Sequence, residues 1–130
     1  MQSDHDWLRS TNIEMGNVET KGTKEFFEGL LAPAFAIRRA GGRVEDRDTF
    51  IAAVAPSAKR TTDIGSITLF EVNRALIECI VTMETDTGEE RFHNVRLFVR
   101  ERPSAPWCLL AWANEPIPGV TAGSERSGTE

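Results

Sequence analysis

Apolar positions along this chain change their spacing once, from a helical period to alternation, and the change divides it into a helical first part and a strand-forming remainder. Trp7, Leu8, Ile13 and Met15 make a loose stripe at helical spacing, and Ser3 and Asp4 stand where an N-cap belongs, so Ser3 to Gly16 reads as a helix. Asn17 to Gly22 reads as a polar connector. Thr23 then caps a second helix, Lys24 to Leu31, on which Phe26, Phe27, Leu30 and Leu31 recur at helical spacing. Pro33 closes it, because the residue before a proline is pushed out of the α region. Phe35 to Arg39 and Arg43 to Glu45 read as short strands joined by the Ala40-Gly41-Gly42 turn. Asp46 caps a third helix with Phe50, Ile51 and Val54 on its apolar face, and Pro56 ends it.

From Thr61 onward β-branched residues and alternation predict four long strands: Thr61 to Val72, Ala75 to Thr85, Glu90 to Arg102 and Trp107 to Asn114. Asn73-Arg74, Asp86 to Glu89 and Pro103 to Pro106 supply the turns. A symmetric Thr87-Gly88 turn sets Glu84 opposite Arg91, Thr82 beside His93 and Ile80 beside Val95. Met83 with Phe92, Val81 with Asn94, and Ile77 with Phe98 then share the other face. Carried across Pro103 to Pro106, that register puts Leu110, Trp112 and Asn114 on the Thr82–His93 face, with Ala111 and Ala113 opposite. Neither face alternates cleanly between apolar and wet, as a half-solvated antiparallel sheet does. Three helices cover one face, so the other is expected to pack on a second copy of the chain.

The sequence of 130 residues is read as one domain over 1–118, followed by a disordered tail over 119–130, where Pro, Gly, Ser and Thr displace apolar residues. A net charge of −5 argues against a nucleic-acid binder, which needs a basic surface to displace counterions. No apolar run reaches the roughly 18 residues of a membrane span, and the polar N-terminus lacks a signal peptide's apolar stretch, so the cytoplasm is the expected location. Cys79 and Cys108 fall on strands separated by one other, about 9–10 Å apart. A disulfide needs Cα atoms within about 7 Å, so both are read as buried thiols.

Helix, helix, short hairpin, helix and four-strand meander, taken with particular segments, resembles the nuclear-transport-factor-2-like superfamily, which includes ketosteroid isomerases and polyketide-cyclase-like proteins. The segments are Phe26 to Phe35, Arg43-Val44-Glu45-Asp46 leading into Phe50, Asn94 to Arg100, and Trp107 to Glu115. The resemblance spans Asp6 to Ile117. It implies an α+β fold: a cone-shaped curved antiparallel sheet with three helices on its concave face, a cavity at the wide end, and dimers through the outer sheet face.

The resemblance does not carry isomerase chemistry with it. That reaction needs a carboxylate base and an oxyanion hole commonly built from a tyrosine and a protonated carboxyl. The chain has no tyrosine, the base position aligns with Arg39, and the oxyanion carboxyl position falls near Leu97. An arginine stays charged and cannot abstract a proton. The face bearing Trp112 matches the pocket side of the resemblance, so its polar members become the candidate site: Glu78, Thr82, His93 and Asn114, with Arg39 reaching in. His93 changes charge near neutral pH and Glu78 lies among Ile77, Cys79 and Ile80, so these two are the candidate acid/base pair. Each also has a plainer reading: His93 bonded to Thr82, and Glu78 paired with Arg39. Trp112 and Asn114 are candidate ligand contacts, and Arg96 falls on the opposite face beside Cys79. No Cys, His and carboxylate cluster has metal spacing, no phosphate loop or nucleophile elbow occurs, and no cofactor is expected.

The expected function is therefore binding of an anionic or carbonyl-bearing small molecule inside the cone of a homodimer. A lyase or isomerase using Glu78 or His93, and a protein-interaction module, are the alternatives.

Overall fold

A computed structural model describes residues 2–118, so the tail expected over 119–130 lies outside the described residues. Helix α1 runs Asp4–Lys21, with the Ser3 hydroxyl accepting the Asp6 N–H at 3.1 Å. It swallows the expected connector, because Met15 and Val18 are buried and only Gly22, at φ 77°, stops the helix. A Cβ at Gly22 would also collide with the Ala55–Pro56 backbone. Helix α2 (Lys24–Leu30) leads without a loop into β1 (Leu31–Arg38), which begins before Pro33 rather than after it. Strand β2 (Val44–Asp46) pairs with β1, and Asp46 caps α3 (Arg47–Ala53) by accepting the Thr49 N–H at 2.9 Å.

The long strands are β3 (Arg60–Phe70), β4 (Arg74–Thr85), β5 (Gly88–Val99) and β6 (Cys108–Pro116). One six-stranded sheet forms in the order β2-β1-β6-β5-β4-β3. Every neighbouring pair is antiparallel except β1 and β6, which are parallel, so the curved sheet is mixed rather than wholly antiparallel. Leu8, Phe27, Phe35, Phe50, Ile77, Phe98, Leu109 and Trp112 form the core between the helices and the concave face. Each contributes roughly 1.5–3 kcal/mol by burial. Phe50 is the hub of an aromatic cluster, with ring centroids 5.1 Å from Phe27, 5.6 Å from Phe35 and 5.7 Å from Trp112.

Two local events set which side chains enter the cone, and both depart from the expected register. The β4–β5 turn is tighter than a symmetric Thr87-Gly88 turn, pairing Thr85 with Gly88 and Ile80 with His93. That slip is two residues and leaves the faces unchanged. In β6, Leu97 pairs with Ala111 but Phe98 with Leu109, so Leu110 is an extra residue in a bulge. One extra residue reverses the alternation beyond it. Trp112 and Asn114 therefore share a face with Asn94 and Arg96, not with His93.

Candidate functional site

The interior of the cone is closed by a polar plug. Arg96 projects inward from the middle of β5 and is fully buried. Its Nη1 donates to Asn12 Oδ1 at 3.1 Å and its Nη2 to Asn94 Oδ1 at 2.9 Å. The guanidinium lies over the Trp112 ring at 4.6 Å, while Trp112 Nε1 donates to Asn94 Oδ1 at 2.7 Å. Asn94 Nδ2 in turn donates to Asn114 Oδ1 at 3.3 Å. Arg96 Nε finds no hydrogen-bond partner among the described residues, and no carboxylate there pairs with the guanidinium. A buried cation without a counter-ion is costly, and burial pushes the Arg96 pKa down, opposed by nearby Cys79 and Glu19.

Outside the plug a recess of about 150 Å³ remains at the cone mouth, lined by Glu19, Arg39, Phe50, Val54, Ser57 and Arg60 among others. Each polar group there is held by another element. Arg60, at the start of β3, meets Glu19 Oε2 of α1 at 3.3 Å and donates to Ser57 Oγ at 2.7 Å. The Ser57 hydroxyl donates to the Glu19 carbonyl at 2.8 Å. Arg39 follows β1, lies over the Phe50 ring at 5.0 Å and donates to Glu45 Oε1 at 3.0 Å. Arg43 shares that carboxylate. Burial pushes the Glu45 pKa up, but the hydrogen bonds from Arg43 and Arg39 outweigh it and hold the group below its ordinary value. Glu19, its side chain 14% exposed, is the reverse case. Burial raises its pKa, and the positive charges of Arg60, Arg96 and Arg39 oppose this without cancelling it.

The expected site residues divide between the two faces. Arg39 lines the recess, and Trp112 and Asn114 belong to the plug behind it. Glu78, Thr82 and His93 lie on the outer face, and the bulge at Leu110 is the physical reason they part from Trp112. Glu78 and His93 approach each other at 3.7 Å with side chains 49% and 44% exposed, and Ser66 Oγ donates to Glu78 Oε1 at 3.0 Å. They form an outer-face pair, not the acid/base pair of the cavity. Arg96, expected on the outside beside Cys79, instead lies at the centre of the cone, and Cys79 is buried on the same side. Cys79 and Cys108 are both free thiols. Glu19 and Arg60 were not among the expected residues. The signal for Glu19 is the spacing Leu8, Asn12, Met15, Glu19, which lies on one face of α1. Among the described residues no group of three His, Cys, Asp or Glu side chains is placed to hold a metal ion.

A cone of curved sheet, stoppered by helices and open at one end, defines an α+β protein of the cystatin-like, NTF2-like fold. Solved structures place the chain there directly. An NTF2-like protein from Cytophaga hutchinsonii superposes with a TM-score of 0.73 at 14% identity, covering 89% of this chain and 100% of that one. A cystatin-like-fold domain of unknown function from Nostoc punctiforme gives 0.73 at 12% identity, over 90% and 79% of the two chains. The CaMKII hub of S. rosetta gives 0.68 at 15%, over 85% and 94%. No protein-family model matches the sequence, and no curated protein does. No helix among the described residues is long and apolar enough to cross a membrane.

Proposed function

We propose that residues 1–118 form one small-molecule-binding domain whose receptive site is the recess at the cone mouth, and whose ligand is a small anion or carbonyl compound. The observation that carries this reading is the balance of charge around the recess. Arg39 and Arg43 share Glu45, Arg60 pairs with Glu19, and Arg96 in the plug has no carboxylate among the described residues, so four guanidinium groups stand against two carboxylates. A ligand carboxylate or polarised carbonyl supplies part of the missing negative charge. The recess suits a ligand of a few heavy atoms, because Arg96, Asn94 and Trp112 fill the cone behind it. The two free thiols accord with a reducing, cytoplasmic setting. With Glu78 and His93 on the outer face, the lyase or isomerase reading loses the acid/base pair it was built on.

Amide NMR titration with acetate, benzoate and inorganic sulfate tests the proposal. Shifts concentrated at Arg39, Phe50, Ser57 and Arg60, and weakened at least about tenfold by Arg39→Gln, support it. Shifts scattered over surface lysines and arginines, or none, overturn it.

A second reading runs beside the first: the domain self-associates through its outer sheet face. That face carries Leu76, Ile80, Val95, Leu97, Ala111 and Ala113, with an apolar groove of about 270 Å³ across β1, β6 and β5. An apolar face of this kind on a soluble sheet marks an interaction surface. The likeness to a hub domain accords with it.

A further inference from the structure

The outer face carries a polar stripe crossing five strands. Ser66 of β3 bonds Glu78 of β4, and Glu78 meets His93 of β5 at 3.7 Å. His93 is the register partner of Glu115 on β6, and Glu115 pairs with Arg38 of β1 at 2.7 Å. The heights of these residues along the strands are related by symmetry. Glu78 on β4 is level with Val95, and Arg38 on β1 is level with Ala113, while Val95 and Ala113 are themselves partners. One step up the same face, His93 and Glu115 face each other across the β5–β6 boundary. The pattern is therefore balanced about a line running between β5 and β6: Arg38 answers Glu78 on the far side, and His93 answers Glu115.

We propose that this stripe registers a two-fold dimer of the chain and makes its assembly proton-dependent, with His93 of one copy over Glu115 of the other and Arg38 over Glu78. The proposal rests on the self-association reading above. A two-fold axis lying between two stacked sheets, along the strands and above the β5–β6 boundary, generates those pairs without further adjustment. A self-complementary row of charges favours a second copy over a partner of unrelated surface.

The charge arithmetic gives the direction. With His93 neutral, Arg38, Glu78 and Glu115 leave one negative charge per copy, and stacking brings the two together. Protonating both histidines cancels it. Histidine is the side chain that changes charge between pH 5 and 8, so the dimer takes up protons as it forms and tightens as pH falls. The charges next to the stripe on this face are Asp63, opposite Ile80 on β3, and Arg91, next along the face of β5, which are of opposite sign; Glu84 and Glu89 lie further along β4 and β5.

Sedimentation equilibrium of the full chain at pH 5.5, 6.5 and 8 is the test, beside His93→Gln, Ala111→Glu, and the charge swap Arg38→Glu with Glu78→Arg. The expected result is a dimer broken by Ala111→Glu, with a dissociation constant about tenfold or more lower at pH 5.5 than at pH 8, a change worth at least one charge pair. His93→Gln flattens the pH dependence. Arg38→Glu weakens the dimer and Glu78→Arg restores it, because the two residues face each other across the axis. A monomer at every concentration and pH overturns the self-association reading itself. A dimer that Ala111→Glu breaks but that ignores pH, or in which the swap fails to restore association, leaves that reading standing and overturns the proposed stripe.

Discussion

Arg100 grips Asp4 at both guanidinium ends, 3.0 and 2.9 Å, and so ties the first turn of α1 to the chain just beyond β5. The Arg100 side chain is 5% exposed, lies over the Trp107 ring at 4.1 Å, and also donates to the Val72 carbonyl at 2.8 Å. Trp107 Nε1 adds a bond to Asp4 Oδ1 at 3.3 Å. Three distant segments meet on one cation.

Asp4→Asn is expected to cost about 1–3 kcal/mol, because it strips a buried guanidinium of its counter-ion while Asp4 itself is partly solvated. The Arg100 hydrogen bonds hold the Asp4 pKa below its ordinary 3.8, with burial opposing and Trp107 and the Arg100 charge assisting. A carboxyl depressed in the folded state adds stability above its unfolded value and loses it as pH falls through the folded one. Thermal melts of wild type and Asp4→Asn should therefore differ most above pH 4 and converge in stronger acid. A gap independent of pH would show that the ion pair is not the source of the loss.

Val72 is the second partner of Arg100 and is strained. It adopts φ 58° beside Glu71 at φ 54°, a left-handed pair that a β-branched residue rarely enters. Its side chain is exposed, so replacing it loses little packing. Val72→Gly should raise stability by about 1 kcal/mol, read as a higher Tm. A lower Tm would mean that the Val72 side chain stabilises the turn by contacts that outweigh the strain.

Glu19 should behave in the opposite sense to Asp4. A carboxyl whose pKa is raised on folding contributes stability at low pH and loses it as pH rises through the folded value. Burial raises the Glu19 pKa above its ordinary 4.5, against the pull of Arg60, Arg96 and Arg39. Glu19→Gln, which mimics the protonated group, is expected to melt higher than wild type at pH 8. The two curves should meet as pH falls below 4.5. A Gln variant less stable than wild type at pH 8 would show that the ionised Glu19–Arg60 pair is net stabilising.

Local signals were legible where one residue decides one feature. Asp46 and Ser3 cap the helices they were expected to cap, because a cap depends on a side chain and a backbone N–H three positions away. The last turns of α1 were hidden. Asn17, Glu19 and Thr20 look like a connector, but Arg60 holds Glu19 from 41 positions downstream, and Val18 packs on the core. The face of Trp112 was lost to a single extra residue. Nothing around Leu110 in the sequence marks a bulge, since Cys108 to Trp112 is apolar throughout. Because strand alternation has period two, that one residue exchanged Arg96 for His93 in the cone. The fold was robust to this error, because element order and hydrophobic content survive a swap of faces. The site was not, because it consists of which face is inward.

The plug tests whether Arg96 is kept for folding or for binding. Arg96 has no counter-ion among the described residues, so an apolar side chain of similar volume relieves the cost of a buried charge. The same change leaves Asn12 Oδ1 without its donor, an effect of opposite sign, whereas removing the partners of Arg96 strands the charge. Arg96→Met should therefore change stability by no more than about 2 kcal/mol in either direction. Asn94→Leu removes the oxygen that accepts from both Arg96 Nη2 and Trp112 Nε1, and should cost about 3–5 kcal/mol. If Arg96 supplies the charge surplus of the recess, Arg96→Met also loses the acetate and benzoate shifts at Arg39 and Arg60 that wild type shows. Chemical denaturation and the NMR titration, run on the same two variants, separate the roles. Arg96→Met that unfolds as readily as Asn94→Leu assigns Arg96 to the fold, while a stable variant that no longer binds assigns it to the recess.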